Sequence, residues 1–421
     1  MTTLYGLVDC NNFYCSCERA FNPQLHRKPV VVLSNNDGCI ISRSQEAKDL
    51  GIQMGEPLFK VKDLLEAHHV AVYSSNYTLY GDMSRRVMSL FHDFTPNVEV
   101  YSIDEAFLDF SNLYGVDLHQ HAWKLKSHVF QCTDIPVSVG VAATKTLAKV
   151  ANRISKKSKK ANGVLVLTDP YYLQAALKQV AVEDVWGIGH QYAALLHRHN
   201  LHTAYDLSRV RDAWAKKHLS IVGLRLVQEL RGEPCLDLEL EPPAKKGICT
   251  SKAFGVPVTD YGEVKEALAT YTARCAEKLR KQQSGATLLT VFIQTNPFAN
   301  TPQYYDSRTV RLPVATNSEL EMIQYALQAL QTLYRKGYSY KKTGIIVSEI
   351  VPQDTIQFDV FDTVNRDKHI KLMAAKDALK VKMGRPVVNS AALGTQKRWT
   401  FKRAMLSPCY TTRMSDILEV H

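Results

Sequence analysis

The sequence predicts a multidomain chain that combines α/β and α+β domains. Its 421 residues exceed the size at which one hydrophobic core stops growing, so we expect about three domains. Near the start, short apolar runs typical of buried strands, Leu4 to Val8 and Val30 to Leu33, alternate with helical patterns. The segment Glu239 to Lys246, with two prolines and two lysines, is typical of a linker, and a second regular pattern follows it.

The pattern after the linker predicts a β-α-β-β-α-β unit. Its elements are a strand at Ile248 to Phe254, a helix at Glu263 to Gln282, strands at Thr287 to Gln294 and Arg308 to Val314, a helix at Glu319 to Lys336, and a strand at Gly344 to Ile350. This order is the ferredoxin-like arrangement. Beyond residue 351 the periodicity weakens, and we expect the tail to be extended or to fold on partners.

Charge and composition favour an anionic partner without identifying one. The formal net charge is +11 while charged residues are only 22% of the chain, so the basic excess is modest. Many basic proteins never bind nucleic acid, and motifs must decide. Nine cysteines without a C-x-x-C framework favour a reducing compartment. We find no signal peptide and no membrane-spanning apolar run, so we expect no membrane association and a cytoplasmic protein.

Three acidic residues occupy positions where carboxylates are costly. Asp9 ends an apolar strand, and Asp104 and Glu105 lie at a turn between two β-prone arms, Val98 to Ile103 and Ala106 to Phe110. Carboxylates from two strands could converge on a pair of Mg²⁺ ions, which prefer oxygen ligands and catalyse phosphoryl displacement. A plain polar turn at Asp104 and Glu105 is the alternative.

A basic helix is predicted from Thr144 to Lys160. On a helical wheel four of its cations fall within roughly 80° of one another: Lys145, Lys149, Arg153 and Lys156. The opposite side is apolar: Leu147, Val150, Ala151 and Ile154. Because the helix itself carries no interleaved acid, we expect this ladder of cations to meet solvent or an anionic ligand.

A glycine hairpin is predicted at Trp186-Gly187-Ile188-Gly189, before a helical pattern. It resembles a helix-hairpin-helix, whose glycines let backbone N–H groups approach a phosphate. An ordinary helix-helix turn is the alternative.

These residues, taken together, resemble the motifs of Y-family DNA polymerases. The two catalytic motifs are Asp9-Cys10-Asn11-Asn12-Phe13-Tyr14 and Ser102-Ile103-Asp104-Glu105-Ala106-Phe107, and further motifs extend to Lys402-Arg403-Ala404-Met405-Leu406-Ser407-Pro408. The resemblance implies a right hand of palm, fingers and thumb plus a little finger. It assigns palm and fingers to 1–167, with fingers at about 19–78, the thumb to 168–238, the linker to 239–246, the little finger to 247–351 and a partner-binding tail to 352–421.

The resemblance also implies residue roles. Asp9, Asp104 and Glu105 would be catalytic and, with the Cys10 carbonyl, would hold two Mg²⁺ ions. Tyr14 would exclude a ribose 2′-OH as a steric gate. The other implied nucleotide contacts are Phe13, Ser42, Arg43, Lys48 and Lys156. The implied DNA-phosphate contacts are Lys145, Lys149, Gly187 and Gly189.

The activity implied is error-prone translesion DNA synthesis in the bacterial SOS response, on primer-template DNA and dNTP. The implied partners are a UmuD′ dimer, the RecA filament and the sliding clamp, and the implied location is the cytoplasm, associated with the nucleoid. Gln357-Phe358-Asp359-Val360-Phe361 resembles a clamp-binding peptide, with Gln357, Val360 and Phe361 as its anchors. The alternatives are a catalytically inactive DNA-binding scaffold and a palm-type nucleotidyl cyclase.

Overall fold

The computed structural model describes residues 3–113, 115–357, 359–362 and 364–419. They form two units. The first comprises Met1–Ser34, Gly38–Pro242 and Met405–His421, and the second comprises Asn35–Asp37 and Pro243–Ala404.

The first unit is built on a five-stranded sheet with the strand order β5-β6-β1-β7-β8. Its strands are β1 (Tyr5–Cys10), β5 (Val98–Val100), β6 (Glu105–Asp109), β7 (Val137–Ala142) and β8 (Val164–Leu167). The central strand β1 pairs antiparallel with both β6 and β7. Because β1 and β7 are almost entirely apolar and buried, the sheet forms the floor of the core.

A three-stranded sheet with the order β3-β2-β4 follows β1 in the chain. Its strands are β2 (Val30–Leu33), β3 (Ile40–Arg43) and β4 (Ala71–Ser74). Its own apolar cluster includes Val31, Leu33 and Ile40.

Ten helices complete the first unit's regular structure in the described residues: α1 (Phe13–Ala20), α2 (Gln45–Asp49), α3 (Leu58–Ala67), α4 (Tyr77–Leu90), α5 (Leu118–Thr133), α6 (Lys145–Lys157), α7 (Pro170–Gln179), α8 (His190–Arg198), α9 (Ala204–Ser208) and α10 (Asp212–Leu230). The predicted basic helix is α6. Thr144 caps it by accepting a hydrogen bond from the backbone N–H of Leu147.

Close contact between α6 and the sheet depends on Gly140 of β7. A Cβ atom at this position would lie 2.2 Å from the backbone nitrogen of Asn152 and 2.4 Å from the carbonyl oxygen of Ala148. The Asn152 side chain donates hydrogen bonds to the carbonyls of Leu7 and Ser138. The helix backbone therefore lies directly on the strands.

The glycine hairpin connects a short 3₁₀ turn, Val182–Asp184, to α8. Gly187 adopts φ +87°, a left-handed conformation that favours glycine, and Gly189 is the N-cap residue of α8. Both glycines are exposed. The backbone of the turn is therefore accessible, and its contact with DNA phosphate stays a prediction.

The second unit has the predicted β-α-β-β-α-β order. Its elements are β9 (Ile248–Val258), α11 (Tyr261–Lys281), β10 (Ser284–Thr295), β11 (Tyr305–Thr316), α12 (Glu319–Leu333) and β12 (Tyr340–Pro352). The sheet order is β11-β10-β12-β9, and every paired strand is antiparallel. The predicted fold is confirmed here, with all four strands longer than predicted.

The tail contains a helix where we expected an extended segment or one that folds on partners. Residues Arg366–Met383 form a helix, α13, whose cations and acids pair with α11 and α12. Arg280 holds Asp377 through two hydrogen bonds of 2.7 and 2.9 Å, and Lys380 donates to Glu277 at 2.7 Å. Met373 is buried at the same contact. The helix lacks a clear apolar period because ion pairs hold it, which explains why the sequence pattern did not reveal it.

Within the described residues, no helix is both long and apolar enough to span a membrane.

Candidate active site

The carboxylates are brought together by the register of the central sheet. Asp9 near the end of β1 lies directly opposite Glu105 at the start of β6. Asp104 precedes Glu105, and its carbonyl accepts a hydrogen bond of 2.8 Å from the backbone N–H of Cys10. Opposed residues of an antiparallel pair lie about 5 Å apart. The three acidic residues therefore share one edge of the sheet.

Ser102 fixes the turn that presents Asp104. Its hydroxyl donates to Asp104 Oδ1 at 2.7 Å and accepts from the backbone N–H groups of Asp104 and Glu105. The backbone N–H groups of Tyr101 and Ser102 donate to the Glu105 carbonyl. Ser102 belongs to the predicted motif, but this role was not predicted, because it depends on the geometry of the turn.

Two lysines of α6 pair with these carboxylates. Lys156 Nζ lies 2.5 Å from Asp9 Oδ1, and Lys149 Nζ lies 2.9 Å from Glu105 Oε2. The Lys149 ammonium also lies 4.4 Å from the ring centroid of Tyr101 and 5.2 Å from that of Trp186. Two cations therefore partly balance the negative charge of the site.

The expectation of an unpaired ladder of cations is wrong. Each cation meets an acid from another element: Lys145 meets Glu99, Lys149 meets Glu105, Arg153 meets Asp184 and Lys156 meets Asp9. The absence of acids within α6 was uninformative, because its cations find their partners through contacts with other elements.

Lys145 and Lys149, the predicted DNA-phosphate contacts on α6, both have acidic partners. Lys145 is only 3% exposed and also donates to the Asp237 carbonyl at 2.6 Å. The Lys149 side chain is 15% exposed and turned toward Glu105. Both ammonium groups are therefore directed at acids of the first unit, and their contact with DNA phosphate stays a prediction.

The pKa values of Asp9 and Glu105 shift in opposite directions. Burial raises the pKa of Asp9 to about 7, against the lowering effect of Lys156 and with a further rise from Glu105. Burial also raises the pKa of Glu105, but Lys149, the hydrogen bond with Asp9 and Lys156 together leave it below its usual range. Asp9 is therefore the carboxylate of the pair that gains a proton more readily.

A cleft of about 360 Å³ lies between this edge of the five-stranded sheet and the three-stranded sheet of the first unit. Its lining contains most of the predicted metal and nucleotide residues, namely Asp9, Cys10, Phe13, Tyr14, Ser42, Arg43, Lys48, Asp104 and Lys156. Asn12, Ile41, Met54 and Ile103 complete the lining and were not predicted. Residues 147 positions apart in sequence therefore share one cavity.

Tyr14 lies at one side of this cleft, on α1. Its ring stacks on that of Tyr80 with centroids 4.5 Å apart and planes at 15°, and meets the edge of Tyr77 at 6.0 Å. Burial is the main cause that raises the pKa of Tyr14 to about 12, so its hydroxyl stays protonated near neutral pH. Phe13 beside it is almost fully buried. The tyrosine ring is therefore held from behind.

The cationic side of the cleft comes from β3 and α2. Lys48 Nζ donates to Asn12 Oδ1 at 2.6 Å, and burial, followed by Arg43 and Lys156, lowers the pKa of Lys48. Arg43 donates to the Ile52 carbonyl at 2.6 Å. Ser42 contacts the Cys15 thiol at 3.3 Å. Three cations thus face one cavity, which suits a polyanionic ligand.

The oxygen donors at this edge have the chemistry that Mg²⁺ prefers. No group of three or more His, Cys, Asp or Glu side chains in the described chain is arranged to hold a metal ion as it stands. Lysine ammonium groups lie against Asp9 and Glu105 instead. A metal ion and these lysines would compete for the same oxygens, so the donor set fits a divalent cation once the lysines turn away.

The predicted clamp-binding residues lie in the tail. Val360 and Phe361 are 95% and 88% exposed, and Gln357 is exposed as well. Phe358 lies outside the described residues.

The chain matches three family models. They are the impB/mucB/samB family over residues 8–153, its C-terminal domain over residues 245–360, and a domain of unknown function, DUF4113, over residues 370–420. Protein UmuC of Salmonella typhimurium is 43% identical over 99% of this chain and 100% of its own length. DNA polymerase IV of Oceanobacillus iheyensis is 25% identical over 91% of this chain and 90% of its own length.

A solved structure has a similar fold. The Y-family DNA polymerase chimera Dbh-Dpo4(243-245)-Dbh matches with a TM-score of 0.65 and 22% identity, over 83% of this chain and 99% of the chimera. The right-hand fold with a little finger is therefore confirmed.

Proposed function

This chain belongs to the impB/mucB/samB family and is an error-prone Y-family DNA polymerase of translesion synthesis in the SOS response, and we propose that its nucleotidyl transfer takes place in the cleft between Asp9 and Tyr14. The observation that carries this assignment is the convergence of acidic, cationic and aromatic residues on one cavity. Polymerases of this family bind DNA and dNTP and generally use divalent metal ions.

The acidic edge would hold the metal. Asp9, Asp104, Glu105 and the backbone carbonyl of Cys10 would bind two Mg²⁺ ions, with the lysines released toward phosphate. The ions would stabilise both the attacking and the leaving oxygen of an in-line displacement.

The protein's own contribution to the reaction is binding and orientation. Lys156, Lys48 and Arg43 would neutralise the triphosphate of the incoming dNTP, and Ser42 would add a hydroxyl contact. Tyr14 and Phe13 would support the sugar, with the Tyr14 ring in the space that a 2′-OH needs. In the reaction the oxygen of the primer 3′-OH bonds to the α-phosphorus, the bond from that phosphorus to the bridging oxygen breaks and pyrophosphate leaves, while the hydroxyl proton passes to solvent.

The division into domains supports the same proposal. Residues 1–167 would be palm and fingers, 168–238 the thumb and 247–351 the little finger, with 239–246 as the linker and 352–421 as the tail. The exposed Gly187 and Gly189 would contact DNA phosphate from the thumb.

The partners and the location remain proposals. The exposed Val360 and Phe361, with Gln357, would dock on the sliding clamp. A UmuD′ dimer and the RecA filament would bind as well, and the protein would act at the nucleoid of a bacterial cytoplasm.

Primer extension with Mg²⁺ on intact and abasic templates tests the metal assignment. Asp104→Ala should slow extension by about a hundredfold or more, the usual cost of removing transition-state charge stabilisation. Asp109→Asn is a matched control, since Asp109 lies at the far end of β6 and caps Ser111. Equal extension by Asp104→Ala and wild type, assayed with UmuD′ and RecA present, would refute the assignment. No extension by any variant would favour an inactive scaffold.

A further inference from the structure

A short C-terminal segment, Met405–Tyr410, packs within the first unit beside the start of α4. The backbone N–H of Ser74 donates to the Met405 carbonyl at 2.8 Å. The Asn76 side chain, which caps α4 through the N–H of Leu79, donates to the Ser407 carbonyl at 3.0 Å. The segment therefore forms hydrogen bonds with the N-terminal end of α4.

The same segment reaches a buried carboxyl on α1. Glu18 is 2% exposed, and its Oε1 accepts hydrogen bonds from the Tyr80 hydroxyl at 2.6 Å and from the Ser407 hydroxyl at 2.9 Å. Nearby, the Tyr410 ring stacks on Phe21 with centroids 4.9 Å apart. Buried carboxyls need hydrogen-bond donors, and two hydroxyls supply them here.

Tyr80 links this carboxyl to the cleft. Its ring is fully buried and lies parallel to that of Tyr14, with centroids 4.5 Å apart. One side chain thus joins Glu18 at its hydroxyl and Tyr14 at its ring face. Neither Glu18, Tyr80 nor Ser407 is among the residues described as lining the cleft.

We infer that Ser407, Glu18 and Tyr80 are positioning residues that hold the Tyr14 ring in place, so that the C-terminal segment sets sugar selection by the polymerase. This inference rests on the proposed role of Tyr14. A ring that excludes one hydroxyl group must be held within about half an ångström, and support from behind provides that restraint. The segment lies almost 400 residues from Tyr14 in sequence, so deoxynucleotide selection depends on both ends of the chain.

The test measures sugar discrimination, the ratio of kcat/KM for a dNTP to that for the matching rNTP, with the full chain and its partners. Tyr80→Phe removes the hydroxyl and keeps the ring, and Ser407→Ala removes the second donor. Each should lower the ratio about five- to tenfold, the value of one or two lost hydrogen bonds. Most of the change should come from faster rNTP incorporation.

Conservative and matched variants separate positioning from folding. Glu18→Gln and Ser407→Thr keep the acceptor and the hydroxyl, and should retain most of the discrimination. Ser415→Ala is the control in the same tail, because its hydroxyl bonds only to the neighbouring Asp416 among the contacts described and is exposed. It should leave the ratio unchanged.

Tyr14→Ala distinguishes the two hypotheses. In the Tyr14→Ala background, adding Tyr80→Phe should have no further effect on the ratio, because the positioned ring is gone. If Tyr14→Ala relaxes discrimination while Tyr80→Phe and Ser407→Ala do not, the inference fails and the gate stands. If Tyr14→Ala leaves discrimination unchanged, the gate itself is wrong. Equal losses for dNTP and rNTP in Tyr80→Phe would indicate a structural role alone and overturn the inference.

Discussion

Helices α6 and α13 both carry cations that pair with acids from other elements, but different forces hold them in place. Helix α6 buries an apolar side that includes Leu147, Val150 and Ala151, whereas only Met373 of the described α13 residues is buried. Because packing already fixes α6, its lysines can exchange one anionic partner for another. The ion pairs of α13 have no such freedom, since they attach the helix.

The largest expected effect tests the packing of α6. Leu147→Ala should reduce the free energy of unfolding of the first unit by about 3 kcal/mol, because it deletes buried methyl groups and leaves a cavity. Met373→Ala should instead release α13 locally and leave the first unit unaffected. Urea unfolding, with hydrogen exchange of each helix, measures both. Equal destabilisation of the first unit by the two variants would contradict the comparison.

The second-largest expected effect tests whether a lysine of α6 exchanges its carboxylate partner for the triphosphate of the dNTP. Lys156→Met should lower kcat/KM for dNTP about a hundredfold, roughly 2.7 kcal/mol, because the triphosphate loses a cation. Lys380→Met in α13 removes an equivalent ion pair with Glu277 and should change kcat/KM little. Single-nucleotide kinetics compare the two. A comparable loss from Lys380→Met would show that α13 also serves catalysis.

The pH dependence should differ between the regions by a smaller amount. The pKa of Asp9 is raised to about 7 by burial, so protons compete with a metal ion for this carboxylate below pH 7. The Mg²⁺ concentration for half-maximal activity should fall up to about tenfold per unit as pH rises from 6 to 7, and then level off.

At the α13 contact the pKa of the carboxyl group, Glu277, shifts in the opposite direction and is lowered. Burial raises the pKa of Glu277, but Lys380 and Lys281 lower it below its usual range. The contribution of this ion pair to the attachment of α13 is therefore fully present above about pH 4.5 and is lost only on further acidification. Hydrogen exchange of α13 between pH 6 and 8, corrected for the intrinsic rate, should therefore stay constant. A change that follows the Mg²⁺ titration would couple the two regions.

A change in ionic strength should have the smallest effect on the two helices. Raising ionic strength from 0.1 to 1 M shortens the screening length from about 10 to 3 Å, and should loosen α13 by less than about 1 kcal/mol. Protection of the α13 amides should fall while that of α6 does not. Equal sensitivity of both helices would mean that ion pairs hold α6 as well.

Local patterns were enough to predict much of this molecule. The alternation and helical spacing of the second unit come from burial on one side of each element, and so its strand and helix order was predictable from the sequence. The carboxylates became candidates because ionised acids at strand ends are costly, and the resemblance to Y-family polymerases favoured a metal site over a plain polar turn. The strand register that sets Asp9 against Glu105 then followed from the sheet itself.

What the sequence did not reveal depends on contacts between distant residues. Nothing near Glu18 indicates a bond to Ser407, and nothing within α6 indicates that Glu99 neutralises Lys145. In both cases a polar residue is buried because its partner comes from another element. Helix α13 was missed for the same reason, since ion pairs leave no apolar period.

Gly140 has a consequence for charge balance at the cleft. The absence of a side chain there sets the distance between α6 and the strands, and a Cβ would meet backbone atoms of Asn152 and Ala148. Any increase in that distance would move Lys149 and Lys156 together, because both side chains extend from one rigid helix. A single hydrogen in place of a methyl group thus fixes how far two ammonium groups reach toward two carboxylates.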